Sequence, residues 1–301
     1  MLECSFFALQ AFPDATWAYA DVVGFGSMKY LDSKIFDIEK MKVDNQITAT
    51  ALIRKEKILE LGGYGIANRY VNEDWHLWLR MLQKGYYPVH MHFYGLWYRR
   101  KESKSLLKEV NDPKNPNNKL RLEELKKEAD KINKVVKAVE LPGYNRKIQK
   151  LEINFENWNT ILKDENNILI ITNKLTTDPH IFEIIEREEG KSVTIITTES
   201  SPYIGRQAYE SKAEVFDTTT FLPTENQVDF VNYIIKTRNI NKIYLCNKSD
   251  FEEKIDKGIK TVKINYTEDN SNYLLMKKKY KFRKTLLGRI IYKIRRIIGL
   301  D

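Results

Sequence analysis

Short apolar runs that alternate with helical segments in the second half of the chain constrain its fold more than any other feature. Four such runs predict buried strands, at residues 167–172, 192–198, 214–217 and 242–246. Helices are predicted among them over residues 179–189 and 226–237. Parallel strands need a crossover connection, which a helix supplies. The pattern therefore predicts an α/β domain with a Rossmann-like parallel sheet.

An acidic pair at a predicted helix start is the main chemical feature of the first half. A helix over residues 54–61 ends at a Gly-Gly break, and the next helix opens at Asp74, directly after Glu73. Free N–H groups in a first helical turn favour negative charge, so Asp74 is expected to stay ionised near neutral pH. Such a carboxylate can accept a proton from a hydroxyl group, as a general base does. The alternative is that the pair only caps the helix.

The helix after Asp74 has a predicted apolar stripe that would anchor it to a core. The stripe consists of Leu77, Trp78, Met81 and Leu82. Trp75 and His76 lie off this stripe, where an exposed ring could stack on the face of a sugar.

The ordered series around this pair resembles the acceptor half of inverting GT-A glycosyltransferases of family 2. The series runs Leu61-Gly62-Gly63-Tyr64, then Asn72-Glu73-Asp74-Trp75-His76-Leu77-Trp78-Leu79-Arg80, then Lys84-Gly85-Tyr86. The segment before it resembles the region that follows the family's metal-binding Asp-x-Asp loop. Trp97-Tyr98-Arg99-Arg100, followed by Ser103 and Ser105, resembles the family's closing element. The resemblance covers residues 1 to about 110.

The resemblance implies roles for individual residues. Asp74 matches the base that deprotonates the acceptor hydroxyl, and Glu73 matches its acidic neighbour. Gly63, Tyr64, Trp75 and Arg99 would then shape the acceptor side. No Asp-x-Asp occurs in the sequence, so no metal site is expected in this chain. The Mn²⁺ or Mg²⁺ that the family implies would be bound only if a donor half is supplied.

The second domain is similar to the N-terminal half of a GT-B glycosyltransferase, of the kind fused behind a family 2 domain in bacterial surface-polysaccharide enzymes. Phe216-Asp217, Phe221-Leu222-Pro223 and Cys246-Asn247-Lys248-Ser249 are among the residues that carry the similarity. Residues 173–178, after the first strand, contain no glycine, unlike a ligand-binding loop of such domains. We therefore expect this domain to be a scaffold or remnant rather than a catalytic domain.

Four segments are predicted: a partial GT-A-like domain at residues 1–110, a charged helical linker at 111–165, the Rossmann-like domain at 166–270 and a basic tail at 271–301. Within them we expect a helix over 2–11, a strand near 16–19, a glycine-containing loop to about residue 32, a short helix over 35–41 and a strand near 87–92. A charged helix is expected over 119–139. Cys4 and Cys246 lie in different domains, which argues against a disulfide framework.

His90 and His92 alternate along the predicted strand at 87–92 and would share a face. Surface or hydrogen-bonded histidines are the expectation, and metal ligation is the alternative.

The net charge of +9 comes entirely from the tail, which holds ten basic residues and one acidic residue. A nucleic-acid-binding domain would spread its basic patch over the fold, so nucleic acid is not an expected partner. Apolar residues from Leu286 to Ile298 are spaced along one side of a helix. Basic side chains that could bind an anionic membrane surface are Lys277, Lys278, Lys279, Arg283, Lys284, Arg289, Arg295 and Arg296. The alternative is a helix that packs on the protein's own core.

The sequence therefore predicts a glycosyltransferase-like protein that transfers a sugar from a nucleotide-sugar to a saccharide acceptor of a cell-surface glycan. It would need a donor-binding half from elsewhere, for which a complementary polypeptide is one source. Its expected location is cytoplasmic and peripheral, at the inner face of the cell membrane. The alternative is a non-catalytic, membrane-associated partner or a truncated remnant of a fused glycosyltransferase.

Overall fold

The computed structural model describes residues 1–65, 72–102, 112, 114–136, 139, 141–142, 166–175, 179–200, 212–247, 249–255 and 258–264. The chain divides into two compact units. The first consists of Met1–Asn145 with Thr219–Asn226, and the second of Arg146–Thr218 with Gln227–Asp301. One contains a mixed sheet and the other a parallel sheet, which confirms the predicted α/β class.

The first unit alternates helices with the strands of a four-stranded sheet. Its elements are α1 Leu2–Ala11, β1 Trp17–Gly26, β2 Tyr30–Asp32, α2 Ile38–Met41, β3 Leu52–Ile53, α3 Lys55–Glu60, α4 Glu73–Gln83, β4 Pro88–Arg100 and α5 Pro116–Asp130. Strand β1 is central: β4 pairs with it in parallel, whereas β2 and β3 pair with it in antiparallel orientation.

Two strands of this unit are longer than the sequence predicted. The expected loop after residue 19 is wrong, because β1 continues to Gly26 and pairs with β4 up to Arg100. Gly24 is a site of close approach within the strand, since a Cβ there would lie 2.0 Å from the Tyr30 ring. The strand expected at 87–92 likewise extends to Arg100.

The core of the first unit forms around α4. Trp17 of β1 stacks on Trp78 of α4, with ring centroids 5.3 Å apart. The predicted anchoring stripe is confirmed, because Leu77, Trp78, Met81 and Leu82 are all fully buried. Side chains of α5 join the same core through Leu125 and Ala129. The start of α4 is therefore fixed by extensive apolar burial.

The second unit is a five-stranded, wholly parallel sheet with the strand order β7-β6-β5-β8-β9. Its elements are β5 Asn167–Thr172, α6 Pro179–Arg187, β6 Ser192–Thr197, β7 Glu214–Asp217, α7 Gln227–Thr237, β8 Ile240–Cys246 and β9 Lys260–Ile264. The four predicted strands are confirmed. The edge strand β9 was missed, because Lys260 and Lys263 interrupt its apolar pattern.

No helix among the described residues is long and apolar enough to cross a membrane. The tail and its eight basic residues named above lie outside the described part of the chain.

Candidate functional site

The predicted acidic pair lies in the first turn of α4. Asn72 precedes the helix, Glu73 is its first residue and Asp74 its second. Glu73 is exposed and Asp74 is half-buried. The fully buried stripe further along α4 fixes this first turn to the core and so restricts where the Asp74 carboxylate can lie.

Asp74 is held by neutral donors. Its Oδ1 accepts a hydrogen bond from the backbone N–H of Trp75 at 2.7 Å, and the Asn45 side chain also hydrogen-bonds to it. Burial raises the pKa of Asp74 from 3.8, and the neighbouring Glu73 charge adds to this, against the effect of the hydrogen bonds. The expectation that the helix start would favour the ionised form is thus opposed by desolvation. No basic side chain among the described residues forms an ion pair with Asp74.

Trp75 and His76 are buried, so the expectation that they lie outside the apolar face of α4 is wrong. The Trp75 indole donates to the Met41 carbonyl at 2.8 Å, which fixes the ring beneath the helix start. The ring therefore anchors the start of α4 and is not exposed for stacking on a sugar. The predicted stripe was too narrow because α2 and α5 cover further sides of α4.

The Gly-Gly turn before α4 is tied to that helix by Arg80. The Arg80 guanidinium donates to the Gly63 carbonyl at 3.0 Å and to the Leu61 carbonyl. Gly63 has a φ of 82°, which favours glycine. The Tyr64 side chain beyond it is exposed. Arg99 is exposed near the end of β4, and no described contact joins it to Asp74.

A second cluster, which we call the Asp-His-His triad, consists of Asp21, His90 and His92. The Asp21 Oδ1 lies 2.6 Å from His90 Nε2, and its Oδ2 lies 3.3 Å from His92 Nδ1. The Ser33 hydroxyl donates to Asp21 Oδ2 at 3.0 Å and lies 3.4 Å from His92 Nδ1. The three side chains of the triad are 2–4% exposed, and Ser33 is half-buried.

An irregular strand pairing accompanies the triad. Along β1, Ala20 pairs with Met91 of β4, whereas Asp21 pairs with Tyr94, so His92 and Phe93 fall between the paired positions. Such bulges re-aim side chains and are common beside functional sites. The prediction that His90 and His92 share a face is confirmed, because both meet the Asp21 carboxylate. Sequence reasoning missed Asp21 and Ser33, since neither belongs to a recognisable ligand motif.

Electrostatics around the triad favour an ionised Asp21. Burial alone would raise the pKa of the Asp21 carboxyl, but hydrogen bonds and charge from His90 and His92 lower it below 3.8. Asp32 stands nearby at the end of β2, and its pKa is raised by burial and by the charge of Asp21. His90 and His92 thus favour the charged form of Asp21, and the charge of Asp21 in turn disfavours the charged form of Asp32.

A third group combines His76 with Glu124 and Glu128 of α5. Glu128 already accepts hydrogen bonds from Gln83 at 2.7 Å and Lys131 at 2.5 Å. Burial lowers the pKa of His76. Both oxygens of the Glu128 carboxylate therefore already accept hydrogen bonds from other side chains.

Comparison with models of protein families, with curated proteins and with solved structures finds no match to this chain.

Proposed function

We propose that this chain is a glycosyltransferase-like protein in which Asp74 is the base for an acceptor hydroxyl. The observation that carries the proposal is the state of that carboxylate. It is half-buried at the start of α4, with its pKa raised by burial, and forms no ion pair with a described basic side chain. A base works best when its pKa lies nearer the working pH than that of a free carboxyl.

The architecture around Asp74 supports the same proposal. The backbone N–H of Trp75 donates to the Asp74 carboxylate, and the Trp75 indole fixes the start of α4 to the Met41 carbonyl. Arg80 fixes the Gly62-Gly63 turn to the same helix. Tyr64 next to this turn is exposed, so its ring is accessible to an acceptor. In this proposal Glu73 adds negative charge, Gly63 and Tyr64 border the acceptor, and Arg99 belongs to the acceptor side. The first unit would be a partial GT-A-like domain, and the second a Rossmann-like, GT-B-like scaffold.

The metal that the family implies does not fit the described residues. Mg²⁺ and Mn²⁺ that bind a nucleotide diphosphate prefer oxygen ligands. Both three-residue groups that could hold a metal among the described residues contain histidine, and the sequence has no Asp-x-Asp. Donor binding is therefore assigned to residues outside the described part of this chain or to a complementary polypeptide.

The basic tail supports a peripheral location at the inner face of the cell membrane. Its balance of ten basic residues to one acidic residue would attract anionic lipids, each Lys or Arg near the surface contributing about 1 kcal/mol. In this proposal the anionic membrane surface is a partner of the chain, besides the saccharide acceptor and the nucleotide-sugar.

Acceptor binding tests the proposal, because it needs only this chain. The purified protein is screened against an array of bacterial surface oligosaccharides, and hits are measured by saturation-transfer NMR. Asp74→Asn should weaken binding of a hit about tenfold, the loss expected for one charged hydrogen bond. Glu73→Gln is the matched control and should change it less than twofold.

Transfer is assayed with UDP- and GDP-sugars wherever a donor half supports turnover, and Asp74→Asn should then lower the rate by about 10²–10⁴. A folded chain that binds no oligosaccharide, or binding that Asp74→Asn leaves unchanged, overturns the enzyme proposal. That result would favour the non-catalytic partner.

A further inference from the structure

The geometry points to a binding site for one divalent transition-metal ion in the Asp-His-His triad, with the Ser33 hydroxyl beside its open position. This inference does not depend on glycosyl transfer, since it uses none of the residues around Asp74. It rests on the identity, spacing and burial of Asp21, His90 and His92.

The chemistry of the donor set selects the class of metal. One carboxylate oxygen and two imidazole nitrogens suit Zn²⁺, Fe²⁺ or Co²⁺, whereas Mg²⁺ and Ca²⁺ prefer oxygen alone. Sites with two histidines, one carboxylate and an open fourth position are a common arrangement for such ions. We take Zn²⁺ as the representative ion.

The distances fit a tetrahedral ion. Bonds of about 2.0–2.1 Å to nitrogen and oxygen place neighbouring ligand atoms about 3.3 Å apart. Asp21 Oδ2, His92 Nδ1 and Ser33 Oγ form a triangle with sides of 3.0, 3.3 and 3.4 Å. The donor atoms of the triad all lie within 4.8 Å of one another. The separation of Asp21 Oδ2 and His92 Nδ1 thus already suits two ligands of one ion, and the Ser33 hydroxyl lies at a similar distance from both, next to the open position.

The third ligand, His90, requires a small change. His90 Nε2 lies 2.6 Å from Asp21 Oδ1, which is a hydrogen-bond distance. Metal binding would release any proton shared between these atoms to solvent and would replace this hydrogen bond with a bond from His90 Nε2 to the ion.

Neighbouring residues fix the orientation of the ligands. The Tyr19 ring stacks on the His90 ring, with centroids 4.7 Å apart, and so fixes its plane. The shifted pairing between β1 and β4 occurs at Asp21, where a bulge re-aims side chains. Ser33 directly follows β2 and is half-buried, so its side of the site is the more exposed one.

Histidine count makes the site testable, because the chain contains four histidines, two in the triad. The full chain is prepared without a polyhistidine tag, stripped with a chelator and titrated with Zn²⁺ against a chromophoric competitor. We expect one ion per chain. Co²⁺ should give the visible spectrum of a nitrogen and oxygen site, without the thiolate charge-transfer band that Cys4 or Cys246 would produce.

Variants assign the site. Asp21→Asn and His92→Gln should each lower Zn²⁺ affinity by about 100-fold or more, and Ser33→Ala by about tenfold or less. His180→Gln is the matched control, since the His180 side chain is 47% exposed and its Nδ1 lies 3.7 Å from the Glu183 carboxylate. His76→Gln tests the third group and should leave the affinity unchanged.

A measurement on the unmodified protein covers the case in which a buried variant fails to fold. In ¹⁵N-histidine NMR spectra, Zn²⁺ should shift the His90 and His92 ring signals and leave those of His180 in place. A folded chain without stoichiometric Zn²⁺ binding overturns the inference. Binding that His76→Gln or His180→Gln abolishes, or that Asp21→Asn leaves intact, does the same and makes the triad a hydrogen-bond network only.

Discussion

The two units each bury a carboxylate, and the partners of the two groups differ in kind. In the first unit, Asp21 meets two imidazoles and a hydroxyl. In the second, Glu188 accepts from Lys191 at 2.6 Å, from Lys242 at 2.5 Å and from the Tyr244 hydroxyl. Glu188 follows α6, and Lys242 and Tyr244 lie on β8, so this network joins a helix end to the sheet.

The difference separates a structural charge from a chemically adaptable one. A lysine ammonium keeps its proton at neutral pH and has no lone pair to offer a metal. A histidine can lose its proton near neutrality and then ligate an ion. The Glu188 network is therefore a permanent ion-pair cluster with a structural role, whereas the triad can exchange a proton for a metal. Asp74 is a third case, because its described partners are neutral and burial leaves its charge only partly compensated.

The largest effect is expected for Glu188→Gln. Removing the carboxylate leaves the ammonium of Lys242, whose side chain is only 20% exposed, without its partner. Loss of one member of a buried ion pair typically costs about 3–5 kcal/mol of unfolding free energy. Hydrogen exchange should show reduced protection of β5 and β8. Glu183→Gln, an exposed substitution, is the control and should change stability by less than about 0.5 kcal/mol.

Acid should remove the Glu188 contribution next. Burial alone would raise the pKa of Glu188, but its hydrogen bonds to Lys191, Lys242 and Tyr244 lower it from 4.5 to about 2. The folded state therefore binds this proton more weakly than the unfolded chain. Its stabilisation, on the order of 3 kcal/mol, is present above about pH 4.5 and is lost as the pH falls toward 2.

Denaturant melts across that window would show a shallower pH dependence of unit 2 in Glu188→Gln than in the wild type. If the unfolding free energy depended equally on pH in the two proteins, the proposed stabilisation by the Glu188 ion pairs would be contradicted.

Asp21→Asn in a metal-free preparation should cost less than Glu188→Gln, about 1.5–3 kcal/mol, the range for hydrogen bonds to a charged group. The imidazoles left behind can give up a proton, so no fixed charge is stranded. Tryptophan fluorescence reports this unit through Trp17 and Trp78. A cost above that of Glu188→Gln would break the distinction between the two clusters.

The smallest effect, and one of opposite sign, is expected for Asp74→Asn. Burial raises the pKa of Asp74, so folding takes up a proton there and the charged form is disfavoured above about pH 3.8. Asparagine keeps an acceptor for the Trp75 N–H without that charge. We expect a gain of about 0.5 kcal/mol at pH 7, which disappears in acid. Glu73→Gln removes only the smaller contribution of the Glu73 charge to this shift, so its pH-dependent gain should be smaller than that of Asp74→Asn. A loss of stability in Asp74→Asn would contradict the electrostatic interpretation.

Local patterns predicted much of the fold. The bounds of β5 and β7 were predicted to the residue, and those of β6 and β8 to within one or two, because uninterrupted apolar runs mark buried strands. The start of α4 was also predicted, since an acidic pair before an apolar stripe is a local helix signal. The length of β1 was not predicted, because its glycines are typical of a loop. Pairing with β4, which the sequence pattern does not show, makes this segment a strand.

The candidate sites divide in the same way. The sequence by itself determined that Asp74 lies in a first helical turn and that His90 and His92 face one side of a strand, because these follow from periods of 3.6 and 2 residues. Only the tertiary structure decided that Trp75 is buried and that Asp21, 69 positions before His90, meets both imidazoles. The strand register, and which faces of a helix other elements bury, depend on the packing of whole elements. The periodicity of a local sequence segment does not specify either of them.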